Sequence, residues 1–367
     1  MIADWTDPFR QAPRLIGERS GKGLGPTPLA ALLGLSHAGL HHPHNGYFPC
    51  HTPLARSSRR AHNGHLIMIT QTKPKVVTHD GCFHADDVVA VAILSIHYRD
   101  IDLHRTRDPA IIAAADIAVD VGGLFDPENG RFDHHQRDFA AKRVSSVGYA
   151  SAGLLWSEYG VRCIAALHPH LGSAVVKSIA DEIDTMFMQY VDMTDTGEAR
   201  AARGSFGFSA FVGEMNPTWQ EQAADADACD AAFVEAVVIA QRFIRRQIAN
   251  DVAVIDAATL VRSGALTHNG QVLTLTHNVP WIDVVCMEMP NVQFVVFPAE
   301  GGWMLRTVPD RPGSFGSRRL LPKAWWGAPE VELASVCPDA VFCHRNGFIA
   351  RAQSKRGAMQ LVDLALA

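Results

Sequence analysis

From Lys75 onwards, short apolar runs alternate with helical patterns, and this alternation limits the possible folds more than any other feature. The run "KVVTH" precedes the helical pattern "ADDVVAVAILSIHY", and the runs "IDLHRTRD", "ADIAVDVGG" and "GRFDHHQ" follow in that order. Strands that alternate with helices form βαβ units, which place the strands parallel in one sheet. The continuous apolar run in "ADIAVDVGG" is typical of a parallel strand buried on both faces. The sequence therefore predicts an α/β fold with a parallel sheet.

Histidine and aspartate residues gather at the ends of these predicted strands. They are His79, His84, Asp86, Asp120, Asp133, His134 and His135. The first three follow the first strand, the fourth ends "ADIAVD", and the last three end "GRFDHH". The carboxyl ends of parallel strands meet at one edge of a sheet, where ligands bind. We therefore expect the seven side chains to lie together at this rim.

Such a cluster predicts bound cations, because charged and imidazole groups placed together repel or titrate unless something neutralises them. Mixed histidine and carboxylate ligands suit Mn²⁺, Fe²⁺, Co²⁺ or Mg²⁺ better than a structural zinc ion, which prefers cysteine. The number of candidate ligands is too large for one ion and suits two. Taken singly, each residue has an ordinary explanation, and for Asp87 we prefer a favourable charge at a helix N-terminus. Their joint location favours a metal site.

Charge, cysteine spacing and hydropathy argue against a strongly basic nucleic-acid-binding protein, a disulfide-rich protein and a membrane protein. The net charge of −5 gives no strong basic field, so a nucleic-acid partner would have to be bound locally. The seven cysteines show no C-x-x-C pair, which indicates reduced thiols and a cytoplasmic protein. No apolar run approaches the ~20 residues of a membrane span, so we expect no membrane association.

Domain organisation follows from shifts in composition. Residues 1–67 are rich in Gly, Pro, Ser and His without a sustained period, which predicts a disordered or non-native extension. On this interpretation Met68 begins the native chain. We expect one domain over residues 68–215, a bridging helix over 216–245 and a smaller, strand-rich domain over 246–367.

Several motifs resemble those of the MYG1 family, a branch of the DHH phosphoesterases. They are "VVTHDGCFHADD", "RTRDP", "VDVGG", "FDHHQRDF", "VDMTDTG", "MNPTW", "SFGSRRLLPKAWWG" and "VFCHRNGFIAR", and together they extend from about residue 74 to the end. The resemblance implies a DHH-type catalytic domain and a smaller α/β substrate-binding domain. It also implies a metal-dependent phosphodiesterase, namely an exonuclease that hydrolyses RNA or short oligonucleotides. Such an enzyme would use two divalent ions, which we expect to be Mn²⁺, with Mg²⁺ or Co²⁺ as alternatives.

The resemblance further implies roles for the residues at the rim. His79 and His84 would bind the first ion, Asp86 and His134 the second, and Asp120 both. One more acidic ligand is expected after the long helical pattern "GSAVVKSIADEIDTMFMQYVDMTDTG", either Asp195 or Asp192, and we favour Asp195. Asp120, Asp133 and His135 are the predicted catalytic residues. Asp133 would orient a ligand from outside the coordination sphere, and His135 would face the substrate phosphate.

The C-terminal part is expected to bind the substrate. The candidate residues are Arg306, Arg318, Arg319, His344 and Gly347. Arginine suits bidentate phosphate contacts, and a glycine turn lets a phosphate approach the backbone. For the arginines, the residues alone support a solvated surface and substrate binding equally. The resemblance favours substrate binding.

Two alternative functions stay open at this point. One is a phosphoesterase for small molecules or cyclic dinucleotides, and the other is a metal-binding protein without activity. The sequence leaves open the direction of digestion, the choice of RNA or DNA, the physiological metal and the oligomeric state, for which a homodimer is one option.

Overall fold

The computed structural model describes residues 73–198 and 207–367, and these contain two sheets. The extension predicted for residues 1–67 lies outside the described residues. Among the described residues, no helix has both the length and the apolar character that crossing a membrane requires.

The first sheet contains five strands in the order β2-β1-β3-β5-β4. They are β1 (Lys75–Thr78), β2 (Asp102–Arg105), β3 (Ile117–Val119), β4 (Phe125–Asp126) and β5 (Arg131–Phe132). The pairs β1–β2, β1–β3 and β3–β5 are parallel, and only β4 pairs antiparallel with its neighbour β5. The predicted α/β fold with a parallel sheet is therefore confirmed.

Helices enclose the first core. They are α1 (Ala85–Tyr98), α2 (Pro109–Ala113), α3 (Ser151–Leu167), α4 (Ser173–Ile183), α5 (Gln189–Asp195), α6 (Phe208–Gly213) and α7 (Trp219–Ala224). Residues 88–94 of α1 are fully buried because α3 and the later helix at residues 228–262 pack against it. One π-helical segment, Asp184–Met188, joins α4 to α5, so the long helical pattern predicted there continues through both helices.

A helix of 35 residues, α8 (Ala228–Arg262), connects the two cores. Sequence predicted the bridging helix over residues 216–245, whereas the structure ends α7 at Ala224 and carries α8 to Arg262. The apolar spacing explains this extension. Phe233, Ile244 and Ile248 are buried in the first core, and Val261 is buried in the core beneath the second sheet.

The second sheet contains six strands in the order β10-β11-β9-β8-β7-β6. They are β6 (Ala265–Thr267), β7 (Val272–Thr274), β8 (Phe294–Ala299), β9 (Gly302–Thr307), β10 (Ala340–Cys343) and β11 (Ile349–Ala352). Only β7 and β8 are parallel, and the other neighbouring pairs are antiparallel. Three helices accompany this sheet, namely α9 (Ile282–Glu288), α10 (Glu330–Val336) and α11 (Lys355–Leu366). This part of the chain is therefore also α/β.

Candidate metal centre

Three adjacent parallel strands deliver the polar side chains to one edge of the first sheet. His79 follows β1, Asp120 follows β3, and the triplet 133–135 follows β5. Because β3 pairs with both β1 and β5, Asp120 comes between the histidines of the two outer strands.

Asp120 lies at the centre of the cluster. Its Oδ2 is 3.5 Å from His79 Nε2, and its Oδ1 is 3.3 Å from His134 Nε2. Its φ of +56° is in the left-handed region, which Asp tolerates better than most residues and which occurs often at functional sites. Ser151 Oγ donates a hydrogen bond of 3.1 Å to Asp120 Oδ1, which fixes the buried carboxylate.

Three groups of residues bring their possible ligand atoms within 4.8 Å of one another. They are His79, His84 and Asp120; then Asp86, His134 and Asp195; and then Asp120, His134 and His135. The first two groups share no residue, and Asp120 also belongs to the third group together with His134. The arrangement therefore has room for two neighbouring sites with Asp120 between them, although the roles of these residues as ligands stay predictions.

Two buried atoms at this rim have no hydrogen-bond partner among the described residues. They are Asp87 Oδ2, which is 3.1 Å from His79 Nε2, and His134 Nε2, which is 3.1 Å from Asp195 Oδ2. Both atoms have ion-pair contacts but no aligned hydrogen bond, and an imidazole nitrogen such as His134 Nε2 is a ligand that divalent cations of this class accept. The residues present therefore fit divalent cations.

The imidazoles and carboxylates of the cluster strongly perturb one another. Burial would lower the pKa of His79 and of His134, but the carboxylates beside them outweigh burial and raise each pKa to about 10. Burial would raise the pKa of Asp120, but its ion-pair contacts with the same two histidines hold it well below its usual range. The carboxylates around His79 and His134 thus favour the protonated form of both imidazoles.

Asp86 lies at the rim and also contacts the N-terminus of helix α3. Its two carboxylate oxygens accept hydrogen bonds from the backbone N–H groups of Ser151, at 2.9 Å, and Ala152, at 2.6 Å. Asp86 therefore caps the N-terminus of α3 from another helix. Burial, followed by the charges of the neighbouring aspartates, raises the pKa of Asp86 well above its usual value.

Of the two candidates for the last acidic ligand, the structure brings Asp195 to the cluster and places Asp192 elsewhere. Asp192 Oδ2 is 2.7 Å from Arg143 Nη1, and Asp192 Oδ1 accepts the N–H of Gly153 at 3.0 Å. Burial raises the pKa of Asp192 to about 7, against the opposing effect of Arg143. Sequence reasoning missed Arg143, which also donates to both carboxylate oxygens of Asp184.

Asp133 and His135 form a pair at the mouth of the cluster. The Asp133 carboxylate accepts hydrogen bonds from the backbone N–H of Gly123, at 2.6 Å, and of His135, at 3.0 Å. Its Oδ1 is also 2.8 Å from His135 Nδ1. The His135 side chain is 60% exposed, so Asp133 holds a ring that faces the solvent side of the rim.

The loop that carries His79 and His84 is held by residues outside the cluster. Asn216 Nδ2 donates to the carbonyl of Phe83 at 2.9 Å, and Asn216 Oδ1 accepts the N–H of Phe83 at the same distance. Asp87 Oδ1 accepts the N–H of His84, in agreement with the helix N-terminal role preferred for Asp87. Asn216 lies in the motif "MNPTW", but no local pattern indicates that its side chain reaches this loop.

A pocket of about 1050 Å³ opens over the cluster. His79, His84, Asp120, Asp133 and His135 line it. The described residues that line this pocket all lie between positions 79 and 213, so the C-terminal candidates do not contribute to it.

A family model described as an uncharacterised protein family (UPF0160), named for MYG1 exonuclease, matches residues 75–366. The chain belongs to the MYG1 family. It is 31% identical to MYG1 exonuclease of Homo sapiens, over 80% of this chain and 86% of that protein. It is 30% identical to MYG1 exonuclease of Bos taurus, over 86% of this chain and 89% of that protein.

A solved structure of RecJ from Thermus thermophilus in complex with Mg²⁺ was also found. Its identity to this MYG1-family chain is 13%, over 80% of this chain and 50% of RecJ. The TM-score of 0.24 is too low to support a conclusion about the fold.

Two of the C-terminal substrate-binding candidates have structural roles in this MYG1-family protein. The Arg318 guanidinium donates to the carbonyls of Val285, Cys286, Met289 and Val292, at 2.7 to 3.3 Å. Both terminal nitrogens are therefore used at the end of α9, and this structural role argues against the predicted substrate contact of Arg318. Gly347 has a φ of +66°, and a Cβ there would lie 2.0 Å from Trp326 Nε1. The packing of Trp326 thus explains the glycine.

The other three C-terminal candidates stay predictions. The guanidinium of Arg306 lies 5.6 Å from the ring centre of Trp281, and burial lowers the pKa of this arginine. His344 Nδ1 accepts the N–H of Asn346 within a turn, at 3.2 Å. Arg319 is partly exposed.

Proposed function

We propose that this protein is a metal-dependent phosphodiesterase that removes nucleotides from the ends of RNA or short oligonucleotides. The observation that carries the proposal is the grouping of histidines and aspartates on both sides of Asp120, with the possible ligand atoms of each group within 4.8 Å of one another. The relatives from cattle and humans are named exonucleases, which supports the same activity.

The cluster offers distinct ligands for two divalent ions, with Mn²⁺ as the first expectation and Mg²⁺ or Co²⁺ as alternatives. His79 and His84 would hold one ion, Asp86, His134 and Asp195 the other, and Asp120 both. When bound, two such ions supply Lewis acidity and stabilise the charge that develops in an in-line phosphoryl displacement.

His79 is oriented for its role by its other ring nitrogen. His79 Nδ1 is 3.0 Å from the carbonyl of Asp80, which fixes the proton on Nδ1 and directs Nε2 toward Asp120. Such bonds from outside the coordination sphere set the tautomer and direction of a histidine ligand.

His135 is the candidate general acid. Because Asp133 accepts the proton of His135 Nδ1, the Nε2 atom is the one that can carry a proton to the leaving oxygen. Departure of a protonated alcohol needs less charge stabilisation than departure of an alkoxide. Asp133 holds the ring in the orientation that this transfer requires.

The pocket over the cluster is large enough for a terminal nucleotide, since ligand pockets commonly measure roughly 300 to 1,000 Å³. Phosphate contacts from Arg306, Arg319 and His344 stay part of the proposal for longer substrates.

The test is a substrate panel for the purified protein. RNA and DNA labelled at the 5′ or the 3′ end, and a cyclic dinucleotide, are incubated with Mn²⁺, with Mg²⁺ or with a chelator. We expect stepwise shortening of RNA from one end that depends on the metal. Hydrolysis of the cyclic dinucleotide alone would favour the small-molecule phosphoesterase. If the metal-bound protein hydrolysed none of these substrates, the result would favour a metal-binding protein without activity.

A further inference from the structure

Four aspartates contribute to the lining of the pocket over the metal cluster. Its lining includes Asp86, Asp120, Asp133 and Asp195, and the Lys or Arg side chains among its described lining are Arg107 and Arg131. An oligonucleotide brings at least one phosphate besides the one that is cleaved. With the two ions used by the scissile phosphate, the flanking phosphate would need a cationic side chain to balance its charge.

Arg131 is not available for this task, because the protein already uses its donors. Its two terminal nitrogens donate to the carbonyls of Ala113, Ala115, Asp116 and Gly130, at 3.0 to 3.4 Å. These hydrogen bonds connect the C-terminal end of α2 to the sheet.

Arg107 is held by only one of its nitrogens. Its Nη1 donates to the carbonyl of Asp80 at 2.6 Å and also contacts the Asp80 carboxylate, and its side chain is 61% exposed. No described residue accepts a hydrogen bond from Nε or Nη2. These two nitrogens form one edge of the guanidinium, and that edge can bind two oxygens of a phosphate at once.

The anchor of Arg107 places it next to the metal cluster. The carbonyl of Asp80 that accepts from Arg107 is also the partner of His79 Nδ1. One backbone group thus orients a predicted metal ligand and the arginine together, and Arg107 and His79 both line the pocket.

We propose that Arg107 binds the phosphate that flanks the scissile bond, and so selects oligonucleotides over substrates with a single phosphate. This inference rests on the proposed function, since it names the substrate feature that the same pocket recognises. Arg107 is then a specificity-determining residue that binds substrate through its Nε and Nη2.

The test compares UpU, which contains one phosphodiester, with UpUpU, which keeps a flanking phosphate whichever bond is cut first. We expect Arg107→Gln to lower kcat/KM for UpUpU by about tenfold or more, mainly through KM, because a charge-assisted bidentate contact is lost. The kcat/KM for UpU should stay within about twofold of the wild-type value. Arg107→Lys, which keeps the charge but lacks the planar edge, should restore part of the preference for UpUpU.

Arg137→Gln is the matched control, because Arg137 is exposed near the rim and does not line the pocket. It removes the same charge and should leave both substrates unaffected. Mn²⁺ affinity is measured by calorimetry in each variant, since Arg107 shares a carbonyl with His79.

The outcomes separate this inference from the proposed function. If the wild-type protein cleaves both substrates and Arg107→Gln keeps the same preference, the inference fails and the proposed function stands. An equal loss on UpU and UpUpU together with weaker Mn²⁺ binding would show that Arg107 acts through His79, and it would also overturn the inference. If the metal-loaded wild type cleaves neither of these ribonucleotides, the inference fails, and if it also leaves the end-labelled RNA and DNA intact, the proposed function fails with it.

Discussion

The sheet rim and the surroundings of Arg318 both place charged side chains against other polar atoms of the protein, but the partners of those side chains differ. The Arg318 guanidinium has four carbonyl partners within the C-terminal part of the chain. At the rim, Asp87 Oδ2 and His134 Nε2 lie near charged atoms and still have no hydrogen-bond partner in the described chain.

The difference distinguishes two uses of charged side chains. A cation whose two terminal nitrogens meet four backbone carbonyls stabilises the fold, because losing it leaves several acceptors unpaired. A group of carboxylates and imidazoles with unpaired atoms keeps its binding capacity for something else. We therefore expect substitutions in the two places to change different measurements, and the predictions below are arranged from the largest effect to the smallest.

The largest effect is expected for Asp120→Asn. This change removes the negative charge of the residue that both proposed ions share, so turnover should fall by about 10³-fold or more. The measurement is the steady-state rate on labelled RNA, with circular dichroism to show that the fold is kept. Asp138→Asn, in an exposed position of the same loop region, should behave like the wild type. Full activity of Asp120→Asn would remove the site from consideration.

Arg318→Ala should affect folding and not metal binding. The loss of hydrogen bonds from a charged donor to four carbonyls should lower the free energy of unfolding by about 3 kcal/mol, or about 10²-fold in the unfolding equilibrium. Urea denaturation measures this change, and Arg311→Ala, at an exposed position, is the control. A stable Arg318→Ala protein with impaired RNA binding would reverse the assignment of this arginine to structure.

Mn²⁺ affinity should rise with pH. His79 and His134 have pKa values raised to about 10 in the protein without metal, so both are protonated near neutral pH. Each must lose its proton to bind an ion, and the apparent affinity should increase by about tenfold per pH unit for each proton displaced, until pH approaches 10. Calorimetry at pH 7 and pH 8, in buffers of different ionisation enthalpy, counts the released protons. An affinity independent of pH would argue against imidazole ligands.

Asn216→Ala should have the smallest of these effects. It removes both hydrogen bonds to the backbone of Phe83, next to His84, and loosens the loop that presents this predicted ligand. We expect Mn²⁺ affinity to fall by about tenfold, the lower end of what such supporting residues contribute. Gln220→Ala, an exposed change in the neighbouring helix, is the comparison. Unchanged affinity would limit Asn216 to a structural role.

Much of the fold and of the rim could be predicted from local patterns. The helix "ADDVVAVAILSIHY" and the order of the first strands follow from periodicity, because apolar residues must face a core wherever it lies. The gathering of His79, Asp120 and His134 follows from parallel pairing, since strand ends are fixed by topology.

The sequence by itself therefore determined the α/β architecture, the family and the residues that could meet at the sheet edge. The tertiary structure decided which partner each polar side chain takes: Asp192 faces Arg143, Asp195 faces His134, and Arg318 faces carbonyls. These choices depend on atoms that are distant along the chain and close only after folding. Periodicity records which side of an element is apolar, but it carries no information about what lies opposite a polar group.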